Sequence, residues 1–190
     1  METKLHEDKT FENIDYSEKE LSGREFVKCI FSNCNFSKSN LSGNDFEECE
    51  FKNCNFSLAQ LGNASLKNCH FTGCKILGVD FSVCNTFLFS VDFKNCILDF
   101  SSFLQKKLRK TSFVDCSLKE VDFTETDLSM SVFKNCDLDR ATFIDSVLEK
   151  TDFRTAANYS FDPDRNKIRK AKFSQAGALG LLAKYGIEIE

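Results

Sequence analysis

Large apolar residues occupy every fifth position along most of the chain, in two runs without a gap. The first run is Phe11, Tyr16, Leu21, Phe26, Phe31, Phe36, Leu41, Phe46, Phe51, Phe56, Leu61, Leu66, Phe71, Ile76 and Phe81. The second run is Leu88, Phe93, Leu98, Phe103, Leu108, Phe113, Leu118, Phe123, Leu128, Phe133, Leu138, Phe143, Leu148 and Phe153. A period of five fits neither the 3.6-residue period of a helix nor the two-residue period of a long strand. The pattern therefore predicts a chain that turns regularly.

The position two places before each large residue is usually small or a cysteine. Its occupants include Cys29, Cys34, Cys49, Cys54, Ala59, Ala64, Cys69, Cys74, Val79, Val91, Cys96, Cys116, Val121, Cys136 and Ala141. Polar residues fill most of the other three places. We therefore expect each five-residue unit to turn two side chains inward and three outward, and to form one side of a tight coil.

A longer period of twenty residues, seen in Cys29, Cys49 and Cys69, predicts that four units complete one turn of the coil. Residues twenty apart then lie above one another, and neighbouring turns pair as parallel strands about 4.8 Å apart. The repeat region gives about seven turns and a rod about 34 Å long at this spacing. Its interior is a stack of side chains with no central pocket.

The composition of the 190 residues changes this picture little. There are 21 Phe, ten Cys and one Pro, and the formal net charge is -4, from 25 basic and 29 acidic side chains. A balance this mild does not demand a charged partner. The polar start METKLHEDKT lacks a signal sequence, and no stretch has the roughly 20 apolar residues that a membrane span needs. We expect a cytoplasmic protein with reduced thiols and no membrane contact.

Candidate chemistry is sparse. The two histidines are His6, in the polar start, and His70, which points outward beside an inward Cys69. Such a pair lies on opposite sides of a strand and cannot act as nucleophile and base. Cysteines five apart do not have the CxxC spacing of zinc or redox sites. We predict no enzyme activity, no metal and no cofactor, with the cysteines serving as small apolar residues.

Two departures from the repeat divide the chain. A two-residue insertion breaks the register at 82–92, and the repeat lapses through a loop at 154–166 that contains Pro163, before Ala171 and Phe173 resume it. We predict a polar segment at 1–10, a coil at 11–173 and a helix and tail at 174–190. Ser174 can cap that helix and Gly186 can end it.

The insertion at 82–92 is predicted to form a bulge. If Leu88 takes the central inward position, Phe87 and Phe89 on either side of it point outward and make a small exposed aromatic site. The alternative is that both rings pack over the junction as local filler. Single surface aromatics often have no function, which favours this alternative.

These repeats resemble those of the pentapeptide-repeat family, over about residues 11–153. The resemblance implies an all-β fold, a right-handed quadrilateral parallel β-helix, here with a short C-terminal helix. It is specific for the fold and not for the function.

The tail LGLLAKYGIEIE resembles the C-terminal module of the quinolone-resistance members of that family. A cap on the last turn can shield it or self-associate, and the resemblance implies a homodimer. The candidate interface residues are Leu179, Leu182, Tyr185 and Ile187. Those members are understood to mimic DNA and to bind the type II topoisomerases DNA gyrase and topoisomerase IV. We expect no direct contact of this chain with nucleic acid.

Two functional hypotheses remain open: a topoisomerase-binding DNA mimic, and a general protein-interaction scaffold with an unknown partner. The candidate partner-binding residues are Phe87, Phe89 and two acidic groups, Asp45, Glu47, Glu48 and Glu50, and Glu120, Asp122, Glu125 and Asp127. Against mimicry stands a basic run around inward Leu108, formed by Lys106, Lys107, Arg109 and Lys110. Mixed charge favours the scaffold.

Overall fold

A computed structural model of the protein describes residues 4–188. Over residues 4–173 the chain winds into a parallel β-solenoid of about seven turns, which confirms the predicted fold class. The strands are β1 (Lys4–Glu7), β2 (Thr10–Glu12), β3 (Arg24–Val27), β4 (Ile30–Ser32), β5 (Asp45–Glu47), β6 (Glu50–Lys52), β7 (Ser65–Lys67), β8 (Cys69–Thr72), β9 (Val91–Lys94), β10 (Ser112–Val114) and β11 (Val132–Lys134).

The solenoid has four faces, numbered in chain order. Face 1 carries the parallel sheet β1-β3-β5-β7 and continues through Leu108, Leu128 and Leu148. Face 2 carries the seven-stranded parallel sheet from β2 to β11. Face 3 starts at Tyr16 and face 4 at Leu21, and both continue as isolated parallel bridges such as Asn35 with Asn55 and Asp122 with Thr142. Paired residues are twenty apart, or twenty-two across the insertion, as for Phe71 with Phe93.

Stacked aromatic rings fill the interior. On face 2 the ring of Phe113 stacks on Phe93 and Phe133 with centroid distances of 5.3 and 4.9 Å. Rings from adjacent faces meet edge-on, as Phe113 and Phe123 do at 6.0 Å and an interplanar angle of 80°. Both arrangements suit the quadrupole of an aromatic ring. The large positions predicted to be inward therefore build one continuous core.

The corners of the coil explain the polar residue that ends most units. The residue two places after the central one has a left-handed backbone, as at Asn33 with φ 54° and Glu120 with φ 55°. Asn, Asp and Gly adopt this conformation at the least steric cost. The recurrent Asn of face 2 follows from this geometry and is not evidence of a binding motif. Those residues are Asn13, Asn33, Asn53, Asn95 and Asn135.

The first turn begins earlier than the spacing predicts. Strand β1 pairs with β3 in the regular register, with His6 opposite Phe26. The predicted boundary at residue 11 is therefore too late, and His6 does not belong to an exposed polar segment. Its side chain is buried at a large central position, and its ring stacks on Phe26 at 5.0 Å. A planar imidazole can take this place because the position selects for shape.

A compact cap covers the last turn. The side chain of Ser174 accepts a hydrogen bond from the Gly177 amide at the start of α1 (Gln175–Ala178), and two short 3₁₀ turns follow before the left-handed Gly186. A Cβ at Gly180 would lie 2.1 Å from the carbonyl oxygen of Tyr159, so only glycine fits there. The Lys184 ammonium also pairs with the carboxylate of Asp162 at 2.6 Å. The predicted capping helix is present, shortened to one turn. Within residues 4–188, no helix is long and apolar enough to cross a membrane.

Candidate interaction surfaces

The interior offers no place for a substrate. Two voids between the stacked rings measure about 20 and about 10 Å³, which is room for about one water molecule each. Across residues 4–188 no group of three or more His, Cys, Asp or Glu side chains is placed to hold a metal ion. Any site that binds a ligand or a partner must therefore lie on the surface.

The cysteines are placed as core residues. All ten are buried and free. Burial raises the pKa of Cys49 and of Cys84 to about 12 and raises that of Cys69 as well. Because the thiolate is the reactive form, these thiols are poor nucleophiles. His70 points away from Cys69 and lies 3.5 Å from the Asp92 carboxylate.

The junction at 82–92 corrects one expectation of the sequence. Leu88 does not take the central position: its side chain is 64% exposed, while Phe89 is 9% exposed and packs edge-on to Phe81. Phe89 is therefore a core residue and is withdrawn as a surface candidate. Phe87 is 67% exposed, so one of the two predicted rings does project. The bulge presents Phe87 and Leu88 together, and we call this pair the knob.

Lys106 is the second correction. It was expected in an exposed basic run, but it is 2% exposed and its ammonium group donates a 2.5 Å hydrogen bond to the carbonyl oxygen of Cys84. No backbone amide in residues 4–188 bonds that oxygen, whereas one turn later the Asp127 amide bonds the equivalent oxygen of Lys106. The insertion breaks the ladder at this point, and the Lys106 side chain replaces the missing donor. Burial lowers the pKa of the Lys106 ammonium.

The spacing of the repeat could have predicted that Lys106 is buried. Lys106 lies two places before Leu108, in the small inward position of its unit, followed one and two turns later by buried Thr126 and Ser146. Lysine has a long aliphatic stem that can lie along apolar surface while its end finds a polar partner. Here that stem passes the Phe89 ring, with the Nζ atom 5.3 Å from the ring centroid.

The first predicted acidic group divides between two faces. Asp45, Glu47 and Glu48 follow one another on the outside of face 1, and Lys67 pairs with Asp45 at 2.6 Å and with Glu47 at 3.6 Å. Glu50 lies on face 2, where Lys52 pairs with it at 2.5 Å. The structure therefore brings together three of the four residues, and one lysine compensates part of their charge.

The second predicted acidic group is not a group in space. Glu120 lies on face 3 and pairs with Arg140 at 3.1 Å, while Asp127 lies on face 1 within 3.6 Å of Arg109. Asp122 and Glu125 share face 4. Their contacts are polar rather than ionic: the Thr124 amide donates to Asp122 and the Gln105 amide group donates to Glu125, both at 2.9 Å.

Face 4 is the acidic side of the solenoid. The outward positions of this face between residues 20 and 145 hold five carboxylates and no lysine or arginine. These residues are Glu20, Asp80, Asp122, Glu125 and Asp145. They spread over about 29 Å at the spacing of parallel strands, or about one charge in 6 Å. Duplex DNA carries one charge in about 1.7 Å, so the resemblance of face 4 to DNA is partial.

Face 3 carries an apolar patch that sequence reasoning missed. Leu58, Ile97 and Phe100 are all exposed there. Leu58 and Phe100 occupy left-handed corner positions, with φ 58° and φ 63°, where a bulky residue is strained. Gly78 separates them in the same column, and a Cβ on it would lie 3.0 Å from the Leu58 side chain. The sequence could have predicted this patch, because each of these apolar residues stands at an outward position where most other units have a polar residue.

The cap leaves the predicted tail residues uncovered. Leu179, Leu182, Tyr185 and Ile187 are all exposed, whereas Leu181 packs against the core. The cap therefore combines an inner side that covers the last turn with an apolar outer side. An exposed apolar surface of this kind is typical of an interaction site.

Comparisons with known proteins agree with the geometry. A family model described as "Pentapeptide repeat region" matches residues 86–158, and another described as "Pentapeptide repeats (9 copies)" matches residues 26–70. Together they cover more than half of the chain. A search of curated protein sequences found no match.

Solved structures of the same architecture are similar to this chain. HetL, a pentapeptide repeat protein involved in heterocyst differentiation regulation in the cyanobacterium Nostoc sp. strain PCC 7120, is 14% identical with a TM-score of 0.60, over 90% of this chain and 86% of that one. QnrB1, a plasmid-mediated fluoroquinolone resistance protein, is 25% identical with a TM-score of 0.48, over 98% and 90%. A pentapeptide repeat protein from the Arabidopsis thaliana thylakoid lumen is 21% identical with a TM-score of 0.38, over 52% and 63%. The likeness to HetL concerns the fold alone.

Proposed function

Because the chain belongs to the pentapeptide-repeat family, we propose that it is a non-enzymatic rod that binds another protein through its outward side chains. The filled interior leaves the surface as the place of action, and the acidic face 4 is the observation that carries the proposal. Four of its five carboxylates have no ion-pair partner among the described residues, and only Asp145 is paired, with Arg165 at 3.3 Å. Such a face suits a basic protein surface, such as one that normally binds DNA.

DNA gyrase is the partner that we propose to test first, with topoisomerase IV as its relative. The tail resembles that of the quinolone-resistance members, and face 4 offers the charge that a DNA-binding groove would attract. Because the attraction of face 4 is electrostatic, binding should weaken as the salt concentration rises. This proposal implies action in the bacterial cytoplasm and no direct contact with nucleic acid.

A supercoiling assay with gyrase, with and without a quinolone, tests the proposal. The rod should inhibit gyrase or protect it from the drug at micromolar concentration. A variant with Asp80→Asn, Glu125→Gln and Asp145→Asn, all exposed on face 4, should lose this effect. The matched control is Glu12→Gln, Asp92→Asn and Asp115→Asn on face 2, which removes the same charge and should keep the effect. No effect of the unmodified rod would dismiss gyrase, and equal loss in both variants would dismiss face 4.

A general interaction scaffold is the second candidate, and the apolar patch on face 3 favours it. A DNA mimic has no use for Leu58 and Phe100, whose exposure and strained backbone suggest a contact with an apolar partner. Crosslinking in cell extract, followed by mass spectrometry, should find partners that Phe100→Ser loses. The control Val132→Ser removes an exposed apolar residue from face 2 and should retain them.

We propose further that the chain forms a homodimer through its tail. The support is the exposed row Leu179, Leu182, Tyr185 and Ile187. Light scattering at micromolar concentration should give twice the chain mass of 21.6 kDa. Leu182→Glu should return the mass to that of one chain with the solenoid still folded. A monomeric mass for the unmodified protein would overturn this part of the proposal.

A further inference from the structure

We propose that face 1 is a self-complementary surface on which a second, antiparallel copy of this chain docks. This inference goes beyond the proposed function, because it uses neither the acidic face 4 nor the tail. Three observations carry it: an acidic level below the junction, a basic level above it, and the apolar knob between them.

The acidic level is formed by the outward residues around Phe46. Asp45, Glu47 and Glu48 present three carboxylates to one side of the rod. Lys67, on the next turn, compensates part of this charge through its contacts of 2.6 and 3.6 Å with Asp45 and Glu47. Glu48 has no ion-pair partner within residues 4–188, and it lies at an exposed corner of the coil.

The basic level is formed by the outward residues around Leu108. Lys107, Arg109 and Lys110 are all exposed. The Asp127 carboxylate lies 3.6 Å from Arg109, whereas the other two have no ion-pair partner among the described residues. Lys106 belongs to the core and adds nothing to this surface. The two levels are three turns apart, or about 14 Å at the spacing of parallel strands.

Opposite charges at a fixed distance on one face satisfy the condition for a two-fold interface. In such an interface a patch of one copy contacts a different patch of the other copy, and the reverse contact follows by symmetry. An axis midway between the two levels places each acidic level against the partner's basic level. The next levels outward are those around Phe26 and Leu128. There Glu25 and Lys28 of one copy would face Asp127 of the other, so attraction and repulsion oppose each other and these levels contribute little to the affinity.

The knob lies next to this axis. Phe87 and Leu88 project from the turn just above the axis and would face the partner's turn around Leu66. That turn presents a small Ser65 and the half-buried Lys67, so a projecting ring has room there. The knob thus supplies apolar contact at the centre, and the charged levels surround it, as in many protein interfaces.

The size of the surface predicts a weak, salt-sensitive dimer. The eight levels of face 1 from His6 to Leu148 span seven intervals, which gives about 34 Å by 10 Å, or about 340 Å² per copy. This is less than half of what a standard interface buries on each partner. Electrostatic attraction between the two pairs of levels must therefore supply much of the affinity, and the dimer should dissociate at high salt.

Charge reversal tests the proposal, in full-length chains that also carry Leu182→Glu to remove association through the tail. The first variant is Glu47→Lys with Glu48→Lys, and the second is Lys107→Glu with Lys110→Glu. All four positions are exposed, and both new residue types already occupy the left-handed corner elsewhere, at Lys28 and Glu120. The solenoid should therefore fold unchanged in circular dichroism.

Sedimentation at about 50 mM salt should show self-association of the unreversed chain and at least a tenfold higher dissociation constant for each variant alone. Mixing the two variants restores both pairs of opposite charges, so the mixture should associate again. Phe87→Ser should also weaken the dimer. A monomeric unreversed chain at about 50 µM, or a mixture that stays monomeric, would overturn the proposal. Gyrase is absent from this assay, so its outcome is independent of the proposed function.

Discussion

The stack of turns below the junction differs from the stack above it in the column of small residues before face 2. In the small position before face 2 the lower stack has Cys29, Cys49 and Cys69, whereas the upper stack has Val91, Thr111, Ser131 and Thr151. In both stacks the side chains of this column, all but Val91 and Thr111, donate to the same acceptor, the carbonyl oxygen 23 residues earlier. Cys69 donates to Phe46 at 3.4 Å and Thr151 to Leu128 at 2.8 Å. The position requires a small side chain and accepts either a weak donor or a strong one.

The large position of face 2 holds phenylalanine in both stacks, and this similarity can be broken most directly. Phe51 and Phe113 are both fully buried at equivalent places on face 2. Phe51→Ala and Phe113→Ala should each lower the free energy of unfolding by about 3–5 kcal/mol, because each leaves a cavity in a stack of rings. Urea denaturation measures this loss. Phe87→Ala, an exposed control, should cost less than about 0.5 kcal/mol. A small cost at only one of the two buried sites would mean that the stacks are packed differently.

The buried thiols predict that the lower stack loses more stability at alkaline pH than the upper stack does. Burial raises the pKa of Cys49 and of Cys84 to about 12, from an unfolded value near 9. The unfolded chain therefore loses these protons first, and stability that is fully present below about pH 9 is lost as the pH rises toward 12. Each such thiol contributes about 1.4 kcal/mol per pH unit.

Cys49 and Cys69, whose pKa values are raised by burial, lie in the lower stack, and the upper stack has Thr and Ser in the same column, so the lower stack should open first. Limited proteolysis with mass spectrometry at pH 10 should place the early cuts below residue 82. Cys49→Ala should reduce the dependence of the urea midpoint on pH between 7.5 and 10. Early cuts confined to the upper stack would contradict this explanation.

Spacing predicted the stacks well and the junction poorly, for a physical reason. A strict period identifies the inward positions wherever the turns are regular, so the cores of both stacks followed from residue type and number. An insertion can be absorbed in several ways, and periodicity does not choose among them. The choice of Phe89 over Leu88 depends on which side chain fits beside Phe81, and the burial of Lys106 depends on the carbonyl oxygen that the insertion leaves without a backbone donor.

Proximity in the sequence was also a poor guide to which surface residues lie together. Neighbours along the chain such as Glu120 and Asp122 lie on different faces, because each unit turns a corner of the coil. Charges twenty residues apart, in contrast, share a column. Clusters that span a corner of the coil were therefore the wrong unit for predicting sites. The acidic charge of face 4, and the fact that the acidic and basic clusters of face 1 share one face, become apparent only in columns.

The junction itself gives the next prediction. Lys106→Met keeps the length of the side chain and removes its donor, which leaves the Cys84 carbonyl oxygen buried without a partner. The free energy of unfolding should fall by about 1–3 kcal/mol. Lys107→Met, an exposed neighbour, should change it by less than about 0.5 kcal/mol. If Lys106→Met is neutral or stabilising, the ammonium group is not what satisfies the broken ladder.

The smallest expected effect concerns the small position before face 2, which differs between the lower and the upper stack. Thr151→Val keeps the shape of the side chain and removes the 2.8 Å hydrogen bond to the Leu128 carbonyl oxygen, so it should cost about 1 kcal/mol. Cys69→Ser makes the opposite exchange in the lower stack: it loses apolar volume but gives the Phe46 carbonyl oxygen a stronger donor. These effects oppose each other, and the net change should stay below about 1 kcal/mol. Both values can be measured by urea denaturation at pH 7, where Cys69 is protonated because burial raises its pKa. A loss of several kcal/mol on Cys69→Ser would show that the lower column selects cysteine for its volume, and that the two stacks satisfy this position by different physics.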